Sequence, residues 1–153
     1  MSSKIKKFPS PAIKKITGGR DPIKVIESFI SSRGHDPEEC LEQRNNNFIQ
    51  WLMNVENGTD LEITLEGLNR IEETTLYLGI NILPIPLKDT QRFYVNALLA
   101  ADTLIESKLS IVNYDLVLSS TIYGGKASVE NIDYAFELLL RQKDPIIALV
   151  NEE

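Results

Sequence analysis

Of the residue types that do covalent or acid–base chemistry, the chain holds a single cysteine, Cys40, and a single histidine, His35, five positions apart. A thiol in contact with an imidazole that a third group orients makes an activated nucleophile. Here the two share a polar stretch opened by Asp36-Pro37, where the carboxylates of Asp36 and Glu38 disfavour a thiolate and raise the thiol pKa. That environment predicts an ordinary surface His and a half-buried, unreactive Cys. One Cys excludes an intrachain disulfide, and one Cys with one His excludes zinc sites of the CxxC or HExxH kind. Adjacent carboxylates occur at Glu38-Glu39, Glu72-Glu73 and Glu152-Glu153, but neighbours in regular structure point to different faces, so they read as solvated charges. Gly18-Gly19 and Gly124-Gly125 lack the Lys-Ser/Thr or GxGxxG context of phosphate loops and read as turn glycines. The expectation is therefore no catalytic residue, no metal site and no cofactor.

Charge carries a second kind of chemistry. Residues 1–20 hold Lys4, Lys6, Lys7, Lys14, Lys15 and Arg20 with no acid, while the rest of the chain holds 10 bases against 22 acids. A basic arm thus precedes an acidic body. Pro9, Pro11, Gly18 and Gly19 punctuate the arm, which predicts a flexible segment that solubilises, folds back on the acidic body, or tethers the chain to nucleic acid or an anionic membrane. The solubilising or fold-back reading is the preferred one; Ile5, Phe8, Ile13 and Ile16 keep the tether open, since a purely solvating tail has little use for them.

The elements that would carry these groups follow from periodicity. The chain's 153 residues, 42% hydrophobic and 25% charged, fit one soluble domain. It has no run of about 18 apolar residues, and its basic start lacks the apolar segment of a secretory signal, so a cytoplasmic protein is expected. Asp21-Pro22 opens a helix with Ile23, Ile26, Phe29 and Ile30 on one stripe, and Gly34 stops it. A short helix through Glu38 to Leu41 precedes the break at Asn45-Asn46-Asn47. Period two then takes over. Ile49, Trp51, Met53 and Val55 alternate with polar residues, as do Leu61, Ile63 and Leu65 beyond Asn57-Gly58, a strong hairpin signal. Residues 74–83 give a third strand, with Leu76, Leu78, Ile80 and Ile82 on one face and Tyr77 on the other, closed by Pro84 and Pro86.

Residues 88–108 predict a long helix with Phe93, Ala97, Ala100, Ala101 and Leu104 on a stripe that Tyr94, Leu98 and Ile105 widen. So broad a band predicts burial on two sides. Two strands flank Asn113-Tyr114-Asp115, and Ser128 caps a last helix that Lys143-Asp144-Pro145 ends. The predicted organisation is an arm at 1–20, one domain at 21–145, and a short apolar and acidic tail at 146–153. The predicted order is α-β-β-β-α-β-β-α, a two-layer α+β fold with helices on one face of an antiparallel sheet.

That order over residues 21–143, with Phe93-Tyr94-Val95-Asn96-Ala97-Leu98-Leu99, the strand pair around Asn113 to Leu118, and the closing Ser128-Val129-Glu130-Asn131-Ile132 helix, resembles the type III secretion chaperone-like fold, and within it the YbjN-type group of bacterial proteins. The chain differs from the YbjN pattern at Glu106-Ser107-Lys108 and in its basic arm. The resemblance implies a non-enzymatic, chaperone-like or regulatory binder, a homodimer that holds an extended segment of another protein. Candidate contacts are Ile23, Ile26, Phe29 and Ile30 on the first helix, and Trp51 with Met53 and Tyr77 as an aromatic and thioether patch. Each set could equally complete the core. Self-association is expected through the long helix, the last two strands, edge pairing along 116–123, or the 146–150 tail.

Overall fold

Apolar residues at every second position build a six-stranded antiparallel sheet in the computed structural model, which describes residues 21–55, 58–69 and 74–153. Its strands are β1 (Leu41–Arg44), β2 (Phe48–Asn54), β3 (Asp60–Glu66), β4 (Thr75–Pro84), β5 (Lys108–Val112) and β6 (Asp115–Tyr123), in the spatial order β1-β2-β3-β4-β6-β5. Register stacks the apolar positions of β2, β3 and β4 side by side: Trp51 lies opposite Ile63, itself opposite Leu78, and Met53 opposite Leu61, itself opposite Ile80. A slip of one residue would turn all of them to water.

Helices α1 (Pro22–Ser32), α2 (Pro37–Cys40), α3 (Thr90–Ala101) and α4 (Val129–Val150) cover that apolar face. The cap of α1 is Asp21, whose Oδ1 accepts from the N–H of Ile23 at 2.9 Å, with Pro22 in the first turn. Ser128 caps α4 in the same way, accepting from the N–H of Asn131 at 3.0 Å. One core cluster joins Ile26, Phe29 and Ile30 of α1, Phe93 and Ala97 of α3, and Ile132, Phe136 and Leu139 of α4 to the strands. The α+β class, the single antiparallel sheet and the one-sided helix layer are as the sequence predicts.

Four details differ, each for a physical reason. The strand β1 has no apolar alternation and all four side chains are exposed, so only its backbone ladder to β2 makes it a strand. Asn45 turns the chain into that ladder by accepting from the N–H groups of Asn47 and Phe48 at 2.8 and 2.9 Å. The helix α3 ends at Ala101 rather than near 108, because the Thr103 hydroxyl and N–H both donate to the Ala100 carbonyl and tighten the last turn. The helix α4 runs through Pro145 to Val150, where the sequence predicts a stop and a free tail. Pro145 sits on the exposed side, so the carbonyl of Arg141 that loses its partner faces water. Ile146 and Val150 are buried, and Asn96 of α3 fixes the end by donating to the carbonyls of Val150 (3.1 Å) and Glu152 (2.6 Å). Last, β6 lies between β4 and β5, and β5 pairs with its residues 115–119, so that stretch is interior with β5 as its edge, while 120–123 pair with β4 and lie beyond the β5 ladder.

The β5–β6 turn has Asn113 at φ 50° and Tyr114 at φ 67°, a pair of left-handed residues that suits the twist of a tight hairpin. Asn tolerates that region, whereas Tyr does so at a cost of about 1–2 kcal/mol. With 85% of Tyr114 exposed, its side chain recovers little by packing. Tyr114→Gly is therefore expected to raise stability by about 0.5–1 kcal/mol in urea titration; the Ile85 N–H to Tyr114 carbonyl bond (2.9 Å) is a backbone contact and survives.

Candidate functional site

The seven apolar residues expected to meet a partner separate into two groups. Ile26, Phe29, Ile30, Trp51 and Met53 are buried core side chains with at most 2% of their surface exposed, and Ile23 is partly covered against the same core. Such side chains offer a partner almost no area. Tyr77 lies on the opposite side of the sheet: Trp51 stands across from Ile63 on the helix-covered face, and Gln50 and Thr64 stand in line with Tyr77 on the other. Trp51, Met53 and Tyr77 therefore do not share one patch, since strand parity sends them to different faces. The cations Lys4, Lys6, Lys7, Lys14, Lys15 and Arg20 lie outside the described residues.

The face that no helix of the described residues covers holds a shallow depression of about 500 Å³, lined from β2, β3, β4, β5 and β6. Phe48, Tyr77 and Val117 give it an apolar floor, and Glu62, Glu66 and Lys108 give it charge. Tyr77 lies along its own strand over Gly79: a Cβ at Gly79 would stand 2.7 Å from the Tyr77 hydroxyl and 2.8 Å from its Cε1. Glycine is what lets the ring lie flat there. Burial pushes the Tyr77 phenol above its ordinary value, the Ser119 hydroxyl works against that, and the Glu62 carboxylate adds to it. Tyr77 thus stays a neutral donor across the physiological range.

A second open surface runs between α3 and β5. Tyr94, Ala97, Leu98, Leu109, Ile111 and Leu116 line an apolar groove of about 380 Å³, and no charged side chain lines it. Leu98 is 74% exposed, Leu99 66% and Ile105 76%. The broad apolar band of this segment is thus buried on one side only; its second side faces outward. Large exposed apolar patches are, in general, where interaction surfaces are found.

Arg33 joins α1 to α4. Its guanidinium lies 4.7 Å from the Phe136 ring centre and 5.8 Å from that of Phe29, and the two rings meet edge to face at 5.8 Å. It also donates to Glu137 at 2.7 Å and to Asp133. Burial works against its charge, and the bonds to Glu137 and Asp133 outweigh that and raise its pKa. This cluster has its own partners and is structural.

Cys40 is 7% exposed at the end of α2, and burial, then Asp36 and Glu39, push its thiol up. His35 lines a separate depression with Arg33 and Phe136. Iodoacetamide is accordingly expected to label Cys40 far more slowly in the native chain than in urea, read by intact mass; equal rates would mean an accessible thiolate. Among the described residues no group of three or more His, Cys, Asp or Glu could hold a metal ion, and no helix is long and apolar enough to cross a membrane.

No protein-family model matches the chain, and no curated protein matches it by sequence. Solved structures do match. The HopA1–SchA chaperone–effector complex contains a chain 18% identical, with a TM-score of 0.52, covering 80% of this chain and 89% of that one. The Yersinia pestis type III secretion chaperone SycH, solved with a stable fragment of YscM2, gives 12% identity and a TM-score of 0.57 over 84% and 99%. The fold is that of type III secretion chaperones. A third match of the same kind comes from the ExoU–SpcU complex of the Pseudomonas aeruginosa type III secretion system, 15% identical with a TM-score of 0.55 over 82% and 98%. The open sheet face and the α3–β5 groove were harder to read than the fold. The alternation of Gln50, Glu62, Thr64 and Tyr77 marks a face as polar, but only the arrangement of the elements shows that no helix among the described residues covers it.

Proposed function

We propose that this chain is a non-enzymatic protein-binding module that holds an extended segment of another protein, in the manner of a secretion chaperone or a YbjN-like regulator, and works as a cytoplasmic homodimer. The observation that carries the reading is the side of the sheet that no described helix covers, with an apolar floor at Phe48, Tyr77 and Val117 beside the charged groups of Glu62, Glu66 and Lys108. A surface that is long, shallow and lined by alternate side chains suits a chain in extended conformation better than a compact small molecule. The SycH structure, with a fragment of its partner bound on the same fold, supports the analogy. Tyr77 is the member of the original candidate set that stands on this face. The α3–β5 groove supplies a separate apolar surface for a second copy, which leaves the sheet face free.

The test is affinity capture from the source cell with the full chain as bait, washed at high salt. Gln50→Lys with Leu52→Lys, two positions on the uncovered face of β2, alters the surface without touching the core. A specific protein held by the native chain and lost from the variant is expected. Equal capture by both chains would place the binding surface elsewhere.

A further inference from the structure

The strand β6 outlasts its neighbour on one side. Its pairing with β5 ends at Lys108 opposite Ser119, whereas its pairing with β4 runs on to Thr75 opposite Tyr123. Glu106 is the cause: at φ 66° it turns the chain out of the ladder, and the Ser107 hydroxyl, donating to Gln142 Oε1 at 2.6 Å, holds it to α4. Antiparallel alternation fixes which backbone groups this exposes. The Gly124 N–H donates to the Thr74 carbonyl at 2.7 Å, so Ile122 and Ser120 also turn their N–H and C=O to β4. Thr121 and Tyr123 therefore turn theirs to the other edge, where they have no backbone partner among the described residues. Unpaired N–H and C=O groups at alternate positions are a template for one more strand.

A groove of about 530 Å³ runs along that edge. Ser120, Thr121, Ile122 and Tyr123 all line it; a cavity on one face of a strand would touch only alternate residues, so this one lies beside the strand. Ile122, with Ala135 and Leu138 of α4, supplies its apolar lining. Charge stands at both ends. The Glu106 carbonyl accepts from the Ser120 hydroxyl at 3.2 Å, which puts Glu106 at the Ser120 end, and Lys126 lies in the short turn Gly124–Lys126 that follows Tyr123. We propose that the Thr121–Tyr123 edge of β6 binds an extended segment of another protein as an added antiparallel strand, with an acidic residue towards Lys126, an aliphatic one beside Ile122 and a basic one towards Glu106. A residue opposite Ile122 shares its face and enters the groove, and the flanking charges meet Lys126 on one side and Glu106 on the other. Such an addition takes its affinity from the main chain and its selectivity from alternate side chains. The site shares no lining residue with the depression on the sheet face, so it is independent of the function proposed above.

The probe is the acetylated and amidated peptide Ser-Glu-Thr-Ile-Thr-Arg-Ser, titrated into the isotopically enriched full chain and followed by amide shifts and hydrogen exchange. In the free chain the Thr121 and Tyr123 amides are expected to exchange far faster than those of Ser120 and Ile122, and bound peptide is expected to slow them. Tyr123→Pro removes the outward donor. Tyr123 has φ −69°, already that of proline, so the ladder to β4 is kept, which the amide spectrum of the variant verifies. That variant is expected to weaken binding about tenfold or more, and Tyr123→Ala less than about threefold. The reversed peptide Ser-Arg-Thr-Ile-Thr-Glu-Ser is expected to bind more weakly to the native chain and to become the preferred one for Glu106→Lys with Lys126→Glu. Thr121 and Tyr123 amides already protected in the free chain would overturn the proposal, as would no binding at millimolar peptide, shifts gathered at Gln50 and Tyr77 instead, equal binding of the reversed peptide, or binding that survives Tyr123→Pro. Protection of the two amides that rises with protein concentration, without peptide, would assign the edge to a second copy instead. Each result is read at β6 and leaves the function proposed for the sheet face to its own experiment.

Discussion

Phe136→Ala is expected to lower the free energy of unfolding by about 3–5 kcal/mol, the range for deleting a fully buried aromatic ring. For a domain of this size that corresponds to a fall of about 6–20 °C in Tm. Phe136 is 1% exposed and takes part in the core of the helix layer, with Phe29 edge to face and the Arg33 guanidinium over its ring. Removal leaves a void between α1 and α4 and also takes away the face that offsets the cost of partly burying Arg33. Asp133 and Glu137 are both about half exposed, so their ion pairs to Arg33 are screened and cannot compensate. Phe136→Leu keeps most of the volume and should fall well short of the alanine effect. Urea titration of both variants checks the ordering; equal losses would point to the ring-specific contacts rather than to the void.

Leu98→Glu is expected to convert a dimer into a chain of 17.3 kDa, read by light scattering, with little change in the Tm of the monomeric fold. Leu98 is largely exposed on α3 and lines the α3–β5 groove, so a carboxylate there has water around it in the single chain. In a dimer packed through this groove the same carboxylate would be desolvated opposite apolar side chains without a partner, which costs several kcal/mol per site and twice per symmetric interface. Lys126→Glu, remote from this groove, serves as the charge control and should leave the mass unchanged. A native chain that is monomeric at all accessible concentrations would remove the dimer from the proposed function.

The strands were legible because their burial is one-sided. Ile49, Trp51, Met53, Leu61, Ile63, Leu65, Leu76, Leu78 and Ile80 all face the core, and alternation alone separates them from their neighbours. What periodicity could not supply is what lies against each face. It marks Leu98, Ile105 and Phe93 alike as apolar, although Phe93 is packed inside and the other two face outward. The polar edge strand β1 carries no side-chain signal, because its ladder is made by backbone groups. Pro145 reads as a stop because it removes one N–H, yet the helix continues where that loss faces solvent and where Ile146 and Val150 have core to bury in. Ile26, Phe29, Ile30, Trp51 and Met53 lie in the core for a related reason: the largest apolar side chains attract attention in sequence, and they are the ones the core takes first.

The position of β6 between β4 and β5 has a kinetic meaning. Strands β1 to β4 pair with sequence neighbours, and β5 pairs with β6 through a two-residue turn, so both blocks can assemble locally. A single ladder from Thr75 opposite Tyr123 to Pro84 opposite Asp115 joins them across the whole of α3. Its loop entropy must be met before any of its hydrogen bonds form. That seam is expected to be the slow step in the birth of the fold, with the inner edges of both blocks open to strands of other chains until it closes.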